Sequence, residues 1–162
     1  MFRTLGTSSV DAFYRLMFPE NASDRPLPVI FINAPPMSDK SAVCLQLYDK
    51  IVESKPKALL MRKKQCFGDL FLAHYGCSFK AFCAKKCDKV VFIDEAQLTY
   101  SDELLWRGFV TCAMGSKLPG LRFVMLASYG NFHDSRLEGR PGTPISIPPG
   151  NSFELNATPT GK

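Results

Sequence analysis

The sequence predicts an α/β fold, a parallel sheet of about five strands covered by helices on both faces. Three observations predict it. Short, unbroken apolar runs recur at Val29–Ile32, Val90–Ile93 and Leu121–Ala127, and such runs mark strands buried on both faces. Segments with helical spacing of apolar residues separate them, as crossover connections between parallel strands require. Polar residues follow the runs directly: Asn33, then Asp94-Glu95, then Ser128. These are the carboxyl ends of the strands, where open α/β sheets bind their ligands.

A chain of 162 residues suits one compact domain with its own core. Hydrophobic residues at 46% and charged residues at 22% are ordinary for a soluble globular protein. The net charge of +5 permits contact with phosphates or nucleic acid without demanding it, since a lysine-rich solvated surface gives the same balance. Met1 to Pro19 does not read as a secretory signal, because Asp11 and Arg15 interrupt any apolar core. No stretch is long and apolar enough to span a membrane. The six cysteines fall on expected helices rather than loops, so they read as reduced thiols of an intracellular domain. His74, Cys77, Cys83 and Cys87 match no common zinc spacing.

Residues Ser8 to Phe18 form an amphipathic helix ended by Pro19, and Glu20 to Pro28 form a loop, giving an amino-terminal helix-and-loop unit over residues 1–28. The first core strand runs into Asn33-Ala34-Pro35-Pro36-Met37-Ser38-Asp39-Lys40-Ser41, and a helix follows from Ala42 to Ser54. Strand, loop and helix with Lys-Ser at the helix start is the layout of a phosphate-binding loop, whose pattern is G-x-x-x-x-G-K-S/T. Ala34 and Asp39 stand at the two glycine positions, with Lys40 and Ser41 in register. Glycines let backbone N–H groups turn inward around phosphates. Pro35 and Pro36 bring no N–H, and Asp39 puts a carboxylate beside the phosphate position. Lys40 can still reach a phosphate and Ser41 can still ligate Mg²⁺. The loop therefore reads as a degenerate Walker A, with weak or absent nucleotide binding.

Lys57 to Met61 gives a second strand. Phe67 to Lys86 gives one long helix, or two around Gly76. The run Lys89-Val90-Val91-Phe92-Ile93-Asp94-Glu95 follows. Its two terminal acids have the pattern of a Walker B strand, where Asp94 holds Mg²⁺ and Glu95 serves the attacking water. An acidic helix start after a strand is the other reading. Thr99 or Ser101 is then expected to cap a helix through about Ala113. The strand Leu121–Ala127 ends at Ser128 and Asn131, both candidates for sensing a γ-phosphate. Arg136 and Arg140 lie in a polar loop. Pro144 to Ile147 gives a short last strand, and residues 156–162 a disordered tail.

Walker A-like and Walker B-like motifs thus follow the first and third strands. That arrangement resembles the additional-strand class of P-loop NTPases, which includes the AAA+ and STAND groups. The resemblance implies a three-layer sheet of order 5-1-4-3-2, counted from the Val29 strand, over residues 29–155. More narrowly, Val91 to Tyr100, Leu105-Trp106, Leu121 to Gly130 and Gly142-Thr143-Pro144 resemble the NTPase domain of Crinkler-type proteins. These occur in oomycetes and some fungi, many as effectors delivered into host cells and often to the nucleus. The resemblance implies Mg²⁺-dependent ATP or GTP hydrolysis, with Lys40 on the phosphates, Ser41 and Asp94 on Mg²⁺, Glu95 as base and Ser128 as sensor. The missing Walker A glycines support the alternative of an inactive pseudo-NTPase that binds a protein partner or nucleic acid. The family's amino-terminal translocation domain has no counterpart in these residues, so delivery to a host does not carry over.

Overall fold

The computed structural model describes residues 3–5, 9–35, 38–54, 58–61, 67–84, 88–118, 120–128 and 143–155. Its centre is a parallel sheet built from β1 (Arg3–Leu5), β2 (Val29–Ala34), β3 (Ala58–Met61), β4 (Lys89–Ile93), β5 (Leu121–Ser128) and β6 (Ser152–Leu155). The spatial order is β1-β6-β2-β5-β4-β3. Counted from β2, this is the 5-1-4-3-2 order, with β1 added beyond β6.

The alternation of side chains along each strand divides the core in two. Val29 and Phe31 of β2, Val91 and Ile93 of β4, and Phe123 and Met125 of β5 face one side. There they meet Phe71 of α3 (Phe67–Tyr75), Phe79 and Phe82 of α4 (Phe79–Cys83), and Trp106 and Val110. Ile30, Ile32, Val90, Phe92, Val124 and Leu126 face the other side, under Phe13 and Met17 of α1 (Ser9–Met17) and Val43, Leu47 and Ile51 of α2 (Lys40–Ser54). Every residue of β4 is buried: the apolar run Val90–Ile93, as a strand covered on both faces requires, and Lys89 at its start.

The helical segment from Phe67 breaks at Gly76, whose φ of 64° suits a residue without Cβ. Ser78 then caps α4, accepting from the Ala81 N–H at 3.2 Å. After β4, Ala96–Thr99 forms a 3₁₀ turn. The next helix is capped neither by Thr99 nor by Ser101. The Asp102 carboxylate accepts from the Leu105 N–H at 3.0 Å and does that work. Thr99 is engaged elsewhere: its carbonyl and hydroxyl oxygens both accept from Trp106 Nε1, each at 3.0 Å. Leu104–Val110 winds as a π-helix before α5 (Thr111–Met114), and the Thr111 hydroxyl bonds back to the Trp106 carbonyl at 2.9 Å.

Two further features differ from the sequence reading. The last strand is Ser152–Leu155, not Pro144 to Ile147. Pro144, Pro148 and Pro149 lack ladder donors, whereas Ser152–Leu155 has a full set and pairs with both β1 and β2. Ile145 and Ile147 instead pack, half-buried, on the Trp106 side of the core. The amino-terminal segment also contributes β1 to the sheet, beyond the helix and loop expected there. The expected tail over residues 156–162 lies outside the described residues, as do Asn131, Arg136 and Arg140.

Arg122 fastens the end of the sheet remote from the acids. Its Nε donates to the Met17 carbonyl at 3.1 Å, its Nη1 to Asp88 at 2.8 Å, and its guanidinium lies 4.5 Å from the Phe18 ring centre. A planar fork with several donors suits this joint in a way an ammonium would not. On the helical side, Trp106 is fully buried against Phe31 and Tyr100. Trp106→Ala is expected to destabilise the fold by about 3–5 kcal/mol in urea denaturation, as truncation of a buried aromatic does.

Candidate active site

The carboxyl ends of β2, β4 and β5 lie side by side because their registers match. Ala34 pairs with Ser128, and Ile93 with Met125. The segment after β2 therefore meets the two acids after β4. Lys40, the first residue of α2, is buried, its side chain 8% exposed, and its ammonium forms an ion pair with Glu95 Oε1. The Glu95 side chain is 36% exposed, so the pair reaches from the interior to an open rim. Ser41 donates from its hydroxyl to Asp94 Oδ2 at 3.2 Å. Ser128 donates from its hydroxyl to Glu95 Oε2 at 3.3 Å. Residues far apart in sequence thus meet in one network.

Glu95 has φ 55° and ψ 47°, the left-handed region. For a residue with a Cβ this costs roughly 1–2 kcal/mol, so the surroundings must hold it. They do so with the Glu95 N–H on Asp94 Oδ1 at 3.0 Å, the Leu98 N–H on the Glu95 carbonyl at 2.9 Å, and three donors on the carboxylate. The sharp turn aims Asp94 at Ser41 and Glu95 at Lys40, although the two acids are neighbours.

Two side chains enter the site that the motifs did not point to. Gln97 donates from Nε2 to Glu95 Oε2 and accepts the Ser128 backbone N–H on Oε1 at 3.1 Å. Only its position two residues after an acid at a strand end signalled this. The Ser38 hydroxyl, two residues before Lys40, is buried and has no hydrogen-bond partner. Buried polar groups without partners are uncommon enough to need a reason, and an incoming ligand is one.

The loop dispenses with glycine at the positions described. Ala34 continues β2 and is fully buried. Neither Ala34 nor Asp39 has a positive φ; among the described residues other than glycine only Glu95 and Ser116 do. The backbone thus makes no demand there that only glycine could meet.

The charge state of Glu95 follows from opposing effects. Burial, the largest, raises its pKa. The hydrogen bonds from Lys40 and Gln97, the Lys40 charge and the Ser128 bond together outweigh burial, and the net shift is downward from 4.5. Glu95 is ionised at neutral pH, as an ion pair needs. Tyr100 shifts the other way: burial pushes its pKa up to about 12.

The donor set suits Mg²⁺ with a nucleoside triphosphate. Ser41 and Asp94 offer hard oxygens side by side, Lys40 supplies a cation, and Ser38 has an unspent hydroxyl. Among the described residues, no cluster of histidine, cysteine and acids has the form of a metal site, and no helix is long and apolar enough to cross a membrane.

No protein-family model matches the chain, and no curated protein sequence matches it. Solved structures do. Domain III of the Thermotoga maritima replication initiation protein DnaA is similar over 96% of this chain and 64% of that one, with TM-score 0.52 and 15% identity. C. elegans PCH-2 is similar over 92% of this chain and 41% of that one, with TM-score 0.49 and 13% identity. The chain therefore spans less than two thirds of the length of either. At this level the likeness concerns the fold alone, a parallel α/β sheet with helices on both faces, shared with the DnaA domain.

The lowered pKa of Glu95 gives a pH dependence of definite sign. A carboxyl held below its unfolded value stabilises the fold above that value, and the contribution is lost as pH falls through the folded pKa. Wild-type stability should therefore fall more steeply than that of Glu95→Gln as pH drops below 4.5, measured by urea titrations at a series of pH values. In an ultraviolet titration, Tyr100 should ionise near pH 12.

Proposed function

We propose that the chain binds a nucleoside triphosphate with Mg²⁺ at the Lys40–Glu95 rim and hydrolyses it slowly. The observation that supports this most is the convergence of Lys40, Ser41, Asp94, Glu95 and Ser128, drawn from α2, the turn after β4 and the end of β5, at the carboxyl ends of the strands. In this reading Lys40 turns from Glu95 to the phosphates. Ser41 and Asp94 hold the Mg²⁺ ion, which neutralises charge on the phosphate oxygens when bound. Glu95 Oε1 takes a proton from a water, whose oxygen attacks the γ-phosphorus as the bond to the β–γ bridging oxygen breaks. The products are a nucleoside diphosphate and phosphate. Against burial, the hydrogen bond and charge of Lys40, together with the Gln97 bond, are the largest of the causes that lower the Glu95 pKa, and the Lys40 contact is the one the phosphates would compete for. Ser128 lies within reach of Glu95 and is assigned to sense the γ-phosphate. Asp39, beside Lys40, repels phosphate and keeps affinity low.

A second reading is an inactive pseudo-NTPase whose surface binds a protein or nucleic acid. The carboxylate of Asp39 and the engagement of Lys40 by Glu95 favour it, because the cation is already neutralised within the chain. The resemblance of Val91 to Tyr100 and Leu121 to Gly130 to Crinkler-type NTPase domains makes an effector-like setting part of the same proposal.

Melting temperatures with and without Mg²⁺-ATP or Mg²⁺-GTP separate the two. A ligand at a hundred times its dissociation constant adds about 2.7 kcal/mol to stability. The melting temperature should rise with Mg²⁺-nucleotide in the wild type and not in Lys40→Ala. In Glu95→Gln the rise should be larger, because phosphate no longer competes with a carboxylate for Lys40, while release of phosphate should stop. A melt unmoved by either nucleotide at millimolar concentration sinks the hydrolase reading.

A further inference from the structure

We propose that Gln97 is a positioning residue for this site: its carboxamide ties Glu95 Oε2 to the end of β5 and leaves Oε1 as the oxygen that meets the attacking water. The inference rests on the hydrolase reading above and concerns a residue that reading does not use.

A carboxamide has a donor end and an acceptor end, and Gln97 uses both. Its Nε2 donates to Glu95 Oε2, and its Oε1 accepts the Ser128 N–H at 3.1 Å. The orientation is unambiguous in chemical terms. Flipped, the amide would set its NH₂ against the Ser128 N–H and its carbonyl against a carboxylate, losing both bonds. Ser128 adds its hydroxyl to the same Oε2 at 3.3 Å. The two oxygens of Glu95 therefore have different surroundings. Oε2 is anchored to β5 through neutral partners within the fold, whereas among the described residues Oε1 is held by Lys40 alone.

That asymmetry decides what an arriving anion can displace. Phosphate competes for the Lys40 cation, and where the Ser128 hydroxyl turns to the γ-phosphate the Gln97 amide still holds Oε2. Losing Lys40 therefore frees Oε1 on the side where the phosphates lie, while the carboxylate keeps its place. Gln97 also helps hold Glu95 at φ 55°, a conformation that a residue with a Cβ keeps only under restraint. Without Gln97 the released carboxylate could relax away from the rim, and a base misplaced by about 1 Å loses on the order of 100-fold in rate.

The test is steady-state Mg²⁺-ATP hydrolysis by the full chain with Gln97→Glu and Gln97→Leu. Gln97→Glu matches the shape and keeps an acceptor for the Ser128 N–H, but it replaces the donor to Glu95 with a second carboxylate that repels it. Gln97→Leu loses both ends. Positioning predicts that both lower kcat by about 100-fold and leave KM unchanged. If Gln97 only closes off the end of β5, Gln97→Glu keeps wild-type kcat, and that result overturns the proposal. The backbone amide signal of Ser128 in a ¹H–¹⁵N spectrum reads the anchor independently of activity. It should shift in Gln97→Leu and stay nearly in place in Gln97→Glu; a signal unmoved in Gln97→Leu also overturns the proposal. Turnover that persists in both variants removes this role and leaves the hydrolase reading standing, whereas a wild type without turnover removes both.

Discussion

Burial of β2, β4 and β5 on both faces is the constraint from which the rest of the structure follows. A strand covered on both sides has no wet face, so its polar groups are confined to its ends. Parallel pairing sends all the carboxyl ends in one direction. The acids after β4, the Lys-Ser pair after β2 and the serine that ends β5 are thereby gathered at one rim. The site is the place where chains that must be apolar along their length are permitted to become polar.

Once gathered, the charges have to be neutralised within the chain or by a ligand. The Lys40 side chain is largely shut off from water, and an uncompensated ammonium there would be costly. Glu95 compensates it, and Gln97 and Ser128 share the carboxylate's remaining capacity. The same network answers the strain of the left-handed turn at Glu95. Electrostatics and backbone geometry support each other here: the turn presents the carboxylate to Lys40, and the bonds it makes hold the turn.

The opposite end of the sheet works differently. Arg122 joins β5 to the close of α1 and to Asp88 through a guanidinium that also covers the Phe18 ring. One end of the sheet is thus pinned by a residue whose bonds go to a backbone carbonyl, a neighbouring acid and an aromatic face. The other carries an ion pair and hydrogen bonds that reach from the interior to an open rim. A rigid base beneath an open rim is what a ligand site needs.

By itself the sequence determined the layers, the central strands and the pairs of motif residues that meet. Unbroken apolar runs and helical spacing are local signals, and the positions of Lys40-Ser41 and Asp94-Glu95 relative to those runs placed them at one rim before any coordinates. A break at Gly76 was one of the two readings that the helical spacing allowed, and the positive φ there decides for it. Tertiary structure alone decided the rest. Ser152–Leu155 was taken into the sheet over Pro144 to Ile147 because ladder donors count only once a neighbouring strand is present. Thr99 was diverted from capping to bonding Trp106 because the indole N–H, once buried, needed an acceptor. Gln97 became part of the site because a side chain's two bonding ends acquire meaning only when the partners for both, here Glu95 and Ser128, are brought within reach by the fold.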